Sequence, residues 1–342
     1  MDLESKFFAP ITRRAFMKGA GAVAASMALP SLFTGSAAEA RVATGNGLRV
    51  TRFAHLTDLH FTTRKQNRYP TSYVHIKRAV ADLNSQDLDF VLFTGDMFHF
   101  PEDIEAEMPI LKEALKGLRH PYYLTLGNHD TEGDRVGKRK QFLCNAVEDH
   151  GLAAGDPFYT FSPAPGLRFI VLDTTDVDGD SYHVWTGHLS ARQMRWLKET
   201  LLKHRDETVF IAMHHPPVTP YPFMDKLKFD TADSHRLEDL LKQFPNVQMM
   251  FAGHFHFGGR NSFANAELIL GPSLVEHPHP YRVVEVSQVD KGKGAISYAW
   301  QSLKLHADED HACANGTPAL RSLALLNLSY MRTGAFQVAL PN

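Results

Sequence analysis

The chain has 342 residues, with 36 Lys and Arg against 38 Asp and Glu, 44% hydrophobic and 22% charged side chains, and a formal charge of -2. This is globular composition, which excludes a disordered, collagen-like or wholly membrane-spanning protein, and the near-neutral balance removes the basic footprint of a dedicated nucleic-acid binder. Two cysteines, Cys144 and Cys313, share no short spacing, so neither a disulfide framework nor a thiolate zinc knuckle is expected, although one bond between them stays open.

Residues 1–40 read as an address. Thr12-Arg13-Arg14-Ala15-Phe16-Met17-Lys18 precedes an uncharged stretch from Gly19 to Ala38, and Ala38-Glu39-Ala40 supplies an A-x-A cleavage site. These are the three parts of a signal peptide, and the arginine pair followed by Phe-Met-Lys resembles the twin-arginine export signal. The stretch is long enough to serve as a retained membrane anchor, but its Gly and Ala content makes it only mildly apolar. With the peptide removed, 32 basic and 35 acidic side chains remain, and no stable membrane span is expected in the mature form.

Along the mature chain, apolar runs of strand length alternate with amphipathic helical patterns. Tyr73, Ile76, Val80 and Leu83 share one helical face, and Phe90–Phe93 reads as a strand. Ile104, Met108, Leu111, Leu115 and Leu118 define a second helix, followed by strand-like runs at Tyr122–Leu124 and Phe169–Leu172. Ser190-Ala191-Arg192-Gln193 has the form of a capping box opening a helix with Met194, Leu197 and Leu201 inward, and Val209–Met213 and Val247–Phe251 are further strands. This alternation predicts layered α/β with a largely parallel core sheet. Val283–Ser287 and Ala295–Trp300, joined by Lys291-Gly292-Lys293-Gly294, predict a closing antiparallel hairpin. The expected organisation is therefore a signal peptide over 1–40, one domain over 41–305, and an extension over 306–342 with no assigned role.

Nearly every apolar run ends in Asp, Asn or His: Asp58-Leu59-His60, Gly95-Asp96, Gly127-Asn128-His129-Asp130, His214-His215 and Gly253-His254-Phe255-His256. In open α/β sheets ligands bind beyond the carboxyl ends of the strands, so these loops are expected to converge. Asp58, His60, Asp96, Asn128, His214, His254 and His256 are too many ligands for one tetrahedral ion. If Asp96 bridges, each of two ions receives four protein ligands. Two divalent ions bring more positive charge than two carboxylates return, and phosphate is an anion that such a pair clamps well. Imidazole and carboxylate donors without thiolate suit Mn, Fe or Zn.

Taken in order, these five blocks resemble the signature of the calcineurin-like metallophosphoesterases over roughly residues 50–285. The ungapped form, with Gly187-His188-Leu189 through Leu197, is most similar to the branch of class III cyclic nucleotide phosphodiesterases and glycerophosphodiesterases. The resemblance implies a four-layer α/β/β/α sandwich, one ion held by Asp58, His60, Asp96 and His256, and a second by Asp96, Asn128, His214 and His254. It implies a metal-bridging hydroxide as nucleophile and His129 beside the metals, assisting the leaving oxygen.

One position departs from the family: where many members carry an Asp or Asn supporting the catalytic histidine, this chain has His99. Support for His129 then comes from elsewhere, Asp130 being one candidate, or His99 itself faces the substrate. His60 present and His99 in place of a tyrosine weigh against the purple acid phosphatase branch. His215 is expected to be a lip or packing residue rather than a ligand and Asp130 to cap a helix, and His277-Pro278-His279-Pro280, Arg260 and Arg282 are candidates either for a substrate rim or for a surface role without function. The expected partners are a small phosphoester and the twin-arginine export machinery, with no nucleic acid. The expected activity is phosphoester hydrolysis outside the cytoplasm, a diester being favoured over a monoester. An inert metal-bound scaffold and a nuclease are the competing readings.

Overall fold

The computed structural model describes residues 50–133, 137–146, 157–176, 185–219, 225, 228–289, 293–303 and 334–339. The signal peptide, Cys313 and the turn residues Lys291 and Gly292 lie outside them.

Two six-stranded sheets form the centre. In the first, β1 (Val50–Leu56), β2 (Phe90–Thr94) and β3 (Tyr122–Thr125) are parallel. β10 (Pro280–Val289), β11 (Lys293–Ser302) and β12 (Gly334–Ala339) extend it antiparallel from the β1 edge. In the second, β5 (Leu167–Val171), β6 (Thr208–Ala212), β7 (Val247–Ala252) and β9 (Ala266–Leu270) are parallel. β4 (Tyr159–Ala164) and β8 (Gly259–Phe263) close its edges antiparallel.

The side-chain alternation of these strands builds three separate cores. Phe53, Phe90, Leu92, Phe169, Val171, Phe210, Phe251, Ile269 and Val284 point between the sheets. Their neighbours point outward. Ala54, Val91, Phe93 and Leu124 pack on α1 (Ser72–Leu83) and α2 (Ile104–Leu115) through Ile76, Leu83, Met108 and Leu111. On the far side, Ile170, Leu172, Val209, Ile211 and Met250 pack on α5 (Ala191–Lys203) and α6 (Thr231–Leu241) through Leu197, Leu201, Leu237 and Leu241. Strands buried on both faces read as continuous apolar runs, as expected of parallel strands under helices. Three cores make four layers, so the predicted α/β/β/α sandwich is present. The inter-sheet layer is aromatic: Phe53 stacks on Phe90 with centroids 4.8 Å apart and meets Phe169 edge-on at 5.4 Å.

The predicted hairpin is β10 and β11, with Val283 opposite Ala299 and Val286 opposite Ile296. β12 adds a third strand to it, drawn from the segment to which the pattern assigns no role. Ser190 caps α5 as predicted, its Oγ accepting from Gln193 N at 3.1 Å. The return half of the capping box is absent, because the Gln193 amide is engaged across the chain: Oε1 accepts from Asp173 N and Nε2 donates to Asp173 O, each at 2.8 Å. This pins the loop after β5 to the start of α5.

Candidate metal centre

The carboxyl ends of β1, β2, β3, β6 and β7 meet at one edge of the sandwich. α3 (Asn128–Thr131) follows β3 there, and α4 (Lys138–Ala146) completes the outer layer. At this edge the chain is held in unusual backbone: Asp58, His60, Asp96, His254 and His256 have φ of 52°, 39°, 50°, 71° and 61°. Left-handed backbone at a non-glycine residue costs on the order of 1–3 kcal/mol and persists where the surroundings over-determine it. Here the loops are zipped together, Asp58 N donating to Gly95 O at 3.1 Å, His60 N to Asp96 O at 3.0 Å and Phe61 N to Met97 O at 2.9 Å. Gly127 and Gly253 allow closer approach still: a Cβ on Gly127 would overlap the Asp96 carboxylate, and one on Gly253 would overlap the Thr57 hydroxyl.

All seven predicted ligands come together, and all are buried apart from the partly buried His256. The donor atoms of Asp58, His60, Asp96 and His256 lie within 4.8 Å of one another. Within that group His256 Nε2 is 2.9 Å from His60 Nε2 and 3.3 Å from Asp58 Oδ1. The second group adjoins it: His214 Nε2 is 3.3 Å from Asp96 Oδ2 and 3.1 Å from Asn128 Oδ1, and the His254 ring is 5.1 Å from that of His214. Asp96 Oδ2 also faces His60 Nε2 at 3.8 Å, so one oxygen looks into both groups.

Backbone and carboxylate partners select the ring tautomers. His214 Nδ1 donates to Thr94 O at 2.7 Å and His256 Nδ1 to Glu276 Oε1 at 3.0 Å, which leaves each Nε2 directed into the cluster. Asp58 is oriented by Thr57 Oγ1, 2.6 Å from Oδ2, and by the His254 amide, 3.2 Å from Oδ1. Asp96 Oδ1 accepts the His129 amide at 2.9 Å, leaving Oδ2 for the cluster.

The electrostatics are those of a site built for cations. Burial disfavours charge on Asp96, yet the nearby His214 and His129 hold its carboxyl well below the usual range. Burial, reinforced by neighbouring imidazoles, keeps His60 and His254 neutral. Burial also opposes charge on His214 and His256, but Asp96 raises the first to about 9, and Glu276 and Asp58 raise the second to about 10. Among the described residues, buried His254 Nε2 and Asn128 Nδ2 have no hydrogen-bond partner. Imidazole nitrogens converging beside carboxylates, one of them orphaned, fit metal ions and no neutral packing role.

His129 is buried beside the cluster, its ring edge-on to His60 at 4.7 Å and to Trp185 at 5.5 Å. Its Nδ1 donates to the backbone carbonyl of His99 at 2.8 Å. Residue 99 thus supports His129 through its main chain. Asp130 does not take that role: its two oxygens accept Phe98 N at 3.1 Å and Gly127 N at 2.9 Å, bracing the two loops. Burial and then Asp96 push the Asp130 carboxyl up to about 7. The His99 side chain turns to His60, with the two Nδ1 atoms 3.3 Å apart, and burial followed by His129 lowers it to about 3.

Of the other sequence candidates, His215 is buried at the edge of the cluster, grouped with His214 and His254. It bonds Thr174 Oγ1 at 2.8 Å, and its ring is 4.3 Å from that of His254. The proposed rim does not form as expected. His279 is buried against His75 at 4.3 Å, Arg282 is buried behind β9, and exposed Arg260 pairs with Glu267 at 2.7 Å. Three contributors were missed. Glu276, Tyr69 and the Thr94 carbonyl orient His256, His60 and His214 respectively, and no motif or spacing announces them.

A four-layer sandwich that gathers Asp, Asn and His side chains able to hold metal at the joint carboxyl edge of its sheets has the architecture of a metallophosphoesterase. The calcineurin-like phosphoesterase family matches residues 51–258, and the chain belongs to that family as a hydrolase of phosphoester bonds. A twin-arginine translocation signal matches residues 10–30 and indicates export across the cytoplasmic membrane. No helix among the described residues is long and apolar enough to cross one.

An Arcobacter nitrofigilis protein named probable glycerophosphodiester phosphodiesterase GpdQ is 28% identical over 206 residues, 59% of this chain and 70% of that one. The Escherichia coli K12 3',5'-cyclic adenosine monophosphate phosphodiesterase CpdA is 23% identical over 75% of this chain and 86% of its own. Among solved structures, a dimetal phosphatase from Danio rerio aligns with a TM-score of 0.58 at 18% identity, covering 74% of this chain and 99% of the other. A yellow lupin purple acid phosphatase aligns at 0.54 with 14% identity, covering 85% and 54%. At those identities the likeness is one of fold.

Proposed function

We propose that the protein is a binuclear phosphodiesterase acting outside the cytoplasm, in the periplasm where the cell has one. Asp58, His60, Asp96 and His256 hold one ion, and Asp96, Asn128, His214 and His254 hold the other. The observation that carries this reading is Asp96 Oδ2, set 3.3 Å from His214 Nε2 and 3.8 Å from His60 Nε2, as a shared carboxylate must be. Two Mn, Fe or Zn ions would supply a cationic clamp for phosphoryl oxygens and water activation at neutral pH.

The chain's own residues supply the rest. His129, its Nδ1–H committed to the His99 carbonyl, offers Nε2 for proton transfer to the departing oxygen. The Asp96 carboxylate fixes the backbone of His129 and so keeps the imidazole at a set distance from the ligands. Two phosphodiesterase-named relatives favour a diester over a monoester.

The test is metal content of the purified mature protein, with Mn-supplemented rates on bis-p-nitrophenyl phosphate and p-nitrophenyl phosphate. Two ions and faster diester cleavage are expected. A monoester preference would make it a phosphatase of the same fold, metal without turnover would favour a scaffold, and an Asp96→Ala variant with full activity would refute the reading. Export is tested by changing Arg13 and Arg14 to Lys, which should strand activity in the cytoplasm.

A further inference from the structure

Glu276 lies on the link between β9 and β10, beyond the residues that the family match covers. It is 5% exposed, and a carboxylate so enclosed is costly unless its lone pairs are taken up. Here a single oxygen, Oε1, accepts from Arg68 Nη2 at 2.7 Å, Tyr69 OH at 2.9 Å and His256 Nδ1 at 3.0 Å. A carboxylate only accepts, so Nδ1 of His256 carries a proton and its Nε2 is turned to Asp58 Oδ1 and His60 Nε2.

Tyr69 adds a second link. Its ring stacks on that of His60, with centroids 5.1 Å apart and planes 25° from parallel, while its hydroxyl holds Glu276. One brace therefore orients two imidazoles of the same four-residue group. The other group is oriented differently: His214 donates to the neutral Thr94 carbonyl.

We infer that Glu276, anchored by Arg68 and Tyr69, is a positioning residue for one ion of the pair, completing a carboxylate–histidine–metal relay through His256. The inference rests on the reading that Asp58, His60, Asp96 and His256 hold an ion. Partners of this kind orient a ligand ring and raise its basicity, and their loss costs about 10–100-fold in metal affinity. A carboxylate that served only to fasten the 271–279 link to Arg68 would leave ion affinity untouched.

The experiment uses the full mature chain, stripped of metal with a chelator and titrated with Mn2+ by electron paramagnetic resonance of the free ion. A parallel titration with Co2+ is followed by its visible d–d bands. Glu276→Gln is nearly isosteric and should weaken one of two Mn2+ sites by about 10–100-fold, leave the other within about two-fold, and alter one set of Co2+ bands. Excess Mn2+ should restore much of its turnover. Tyr69→Phe, which removes one donor and keeps the charge, should move the same site in the same direction by less, and it carries the test if Glu276→Gln does not fold.

Wild-type affinities and Co2+ spectra in both variants would overturn the inference while leaving the binuclear reading intact. Equal loss of both ions, together with a lower melting temperature of the metal-free protein, would reduce Glu276 to a structural residue and overturn it as well. A wild-type chain that binds fewer than two ions would defeat the binuclear reading itself.

Discussion

Gly127→Ala tests the geometry of the centre without changing a ligand. Gly127 has φ of -112° and ψ of 179°, extended backbone that alanine adopts freely, so any effect is steric. The added Cβ would lie 2.5 Å from Asp96 N and overlap the Asp96 carboxylate, where ordinary contact is 3.4–4 Å. One loop must therefore retreat by roughly 1 Å, and displacements of that size at a reacting centre cost on the order of 100-fold in rate. Overpacking should also destabilise the fold by about 1–3 kcal/mol. Gly117→Ala is the control, since its Cβ would meet Val80 Cγ1 at an ordinary 3.5 Å. The assay is kcat/KM on the diester, with ions counted per chain and the urea midpoint measured in parallel. If Gly127→Ala keeps two ions and activity within two-fold of the control, the position of the Asp96 carboxylate does not set the geometry of the centre.

Ion binding at pH 7 should release protons. In the metal-free protein His214 at about 9 and His256 at about 10 lie above the ordinary 6.5, so each ring is protonated there and each ion must displace about one proton. Raised pKa values mean that the stability these protons contribute is complete below pH 6.5 and fades as pH climbs through 9 to 10, whereas ion affinity climbs over the same range. Calorimetry in two buffers of different ionisation enthalpy counts the protons, and a count of zero would contradict the assignment. His129→Asn should lower kcat by about 100- to 10,000-fold, whereas His99→Asn, which leaves the supporting carbonyl in place, should cost less. An equal loss in both would return the supporting role to the His99 side chain. Chelation should abolish turnover and lower the melting temperature, because each ion held at 100 times its Kd adds about 2.7 kcal/mol. An unshifted melting curve would mean that the folded state does not bind metal preferentially.

Sequence patterning exposes the parts of this molecule where one physical demand acts alone. Phe90–Phe93, Phe169–Leu172 and Val209–Met213 are buried on both faces, so burial writes an unbroken apolar run and the polar ligand at its end stands out. β1 is harder to see because Thr51, Arg52 and His55 interrupt it. Arg52 N and side chain serve Asp89 and Glu285, and His55 bonds Thr94 Oγ1 at 2.9 Å. The support of His129 is hidden for a different reason: a backbone carbonyl has no letter in the sequence. Glu276 is a lone carboxylate in a stretch of Pro and His, and only the fold brings it to His256, 20 residues away, and to Arg68, 208 away. The histidines and arginines downstream of the last motif look like a rim, yet Arg282 and His279 are used up in packing.

The left-handed backbone of the clustered residues points to one further property of the fold. Asp58, His60, Asp96, His254 and His256 each carry backbone strain. That strain is a cost of the folded chain, and cations bound by those side chains would offset it. The clustered side chains come from loops spanning residues 58 to 256 and belonging to both sheets, so the cluster forms only once the sheets have joined, and on the proposed assignment metal follows folding. On the proposed export of the chain in folded form through the twin-arginine route, that assembly would be complete before the membrane is crossed. The order of events that the geometry requires, folding first and metal second, is therefore compatible with loading before export. It makes the metal content of cytoplasmic precursor, relative to exported protein, the quantity that decides where the ions are acquired.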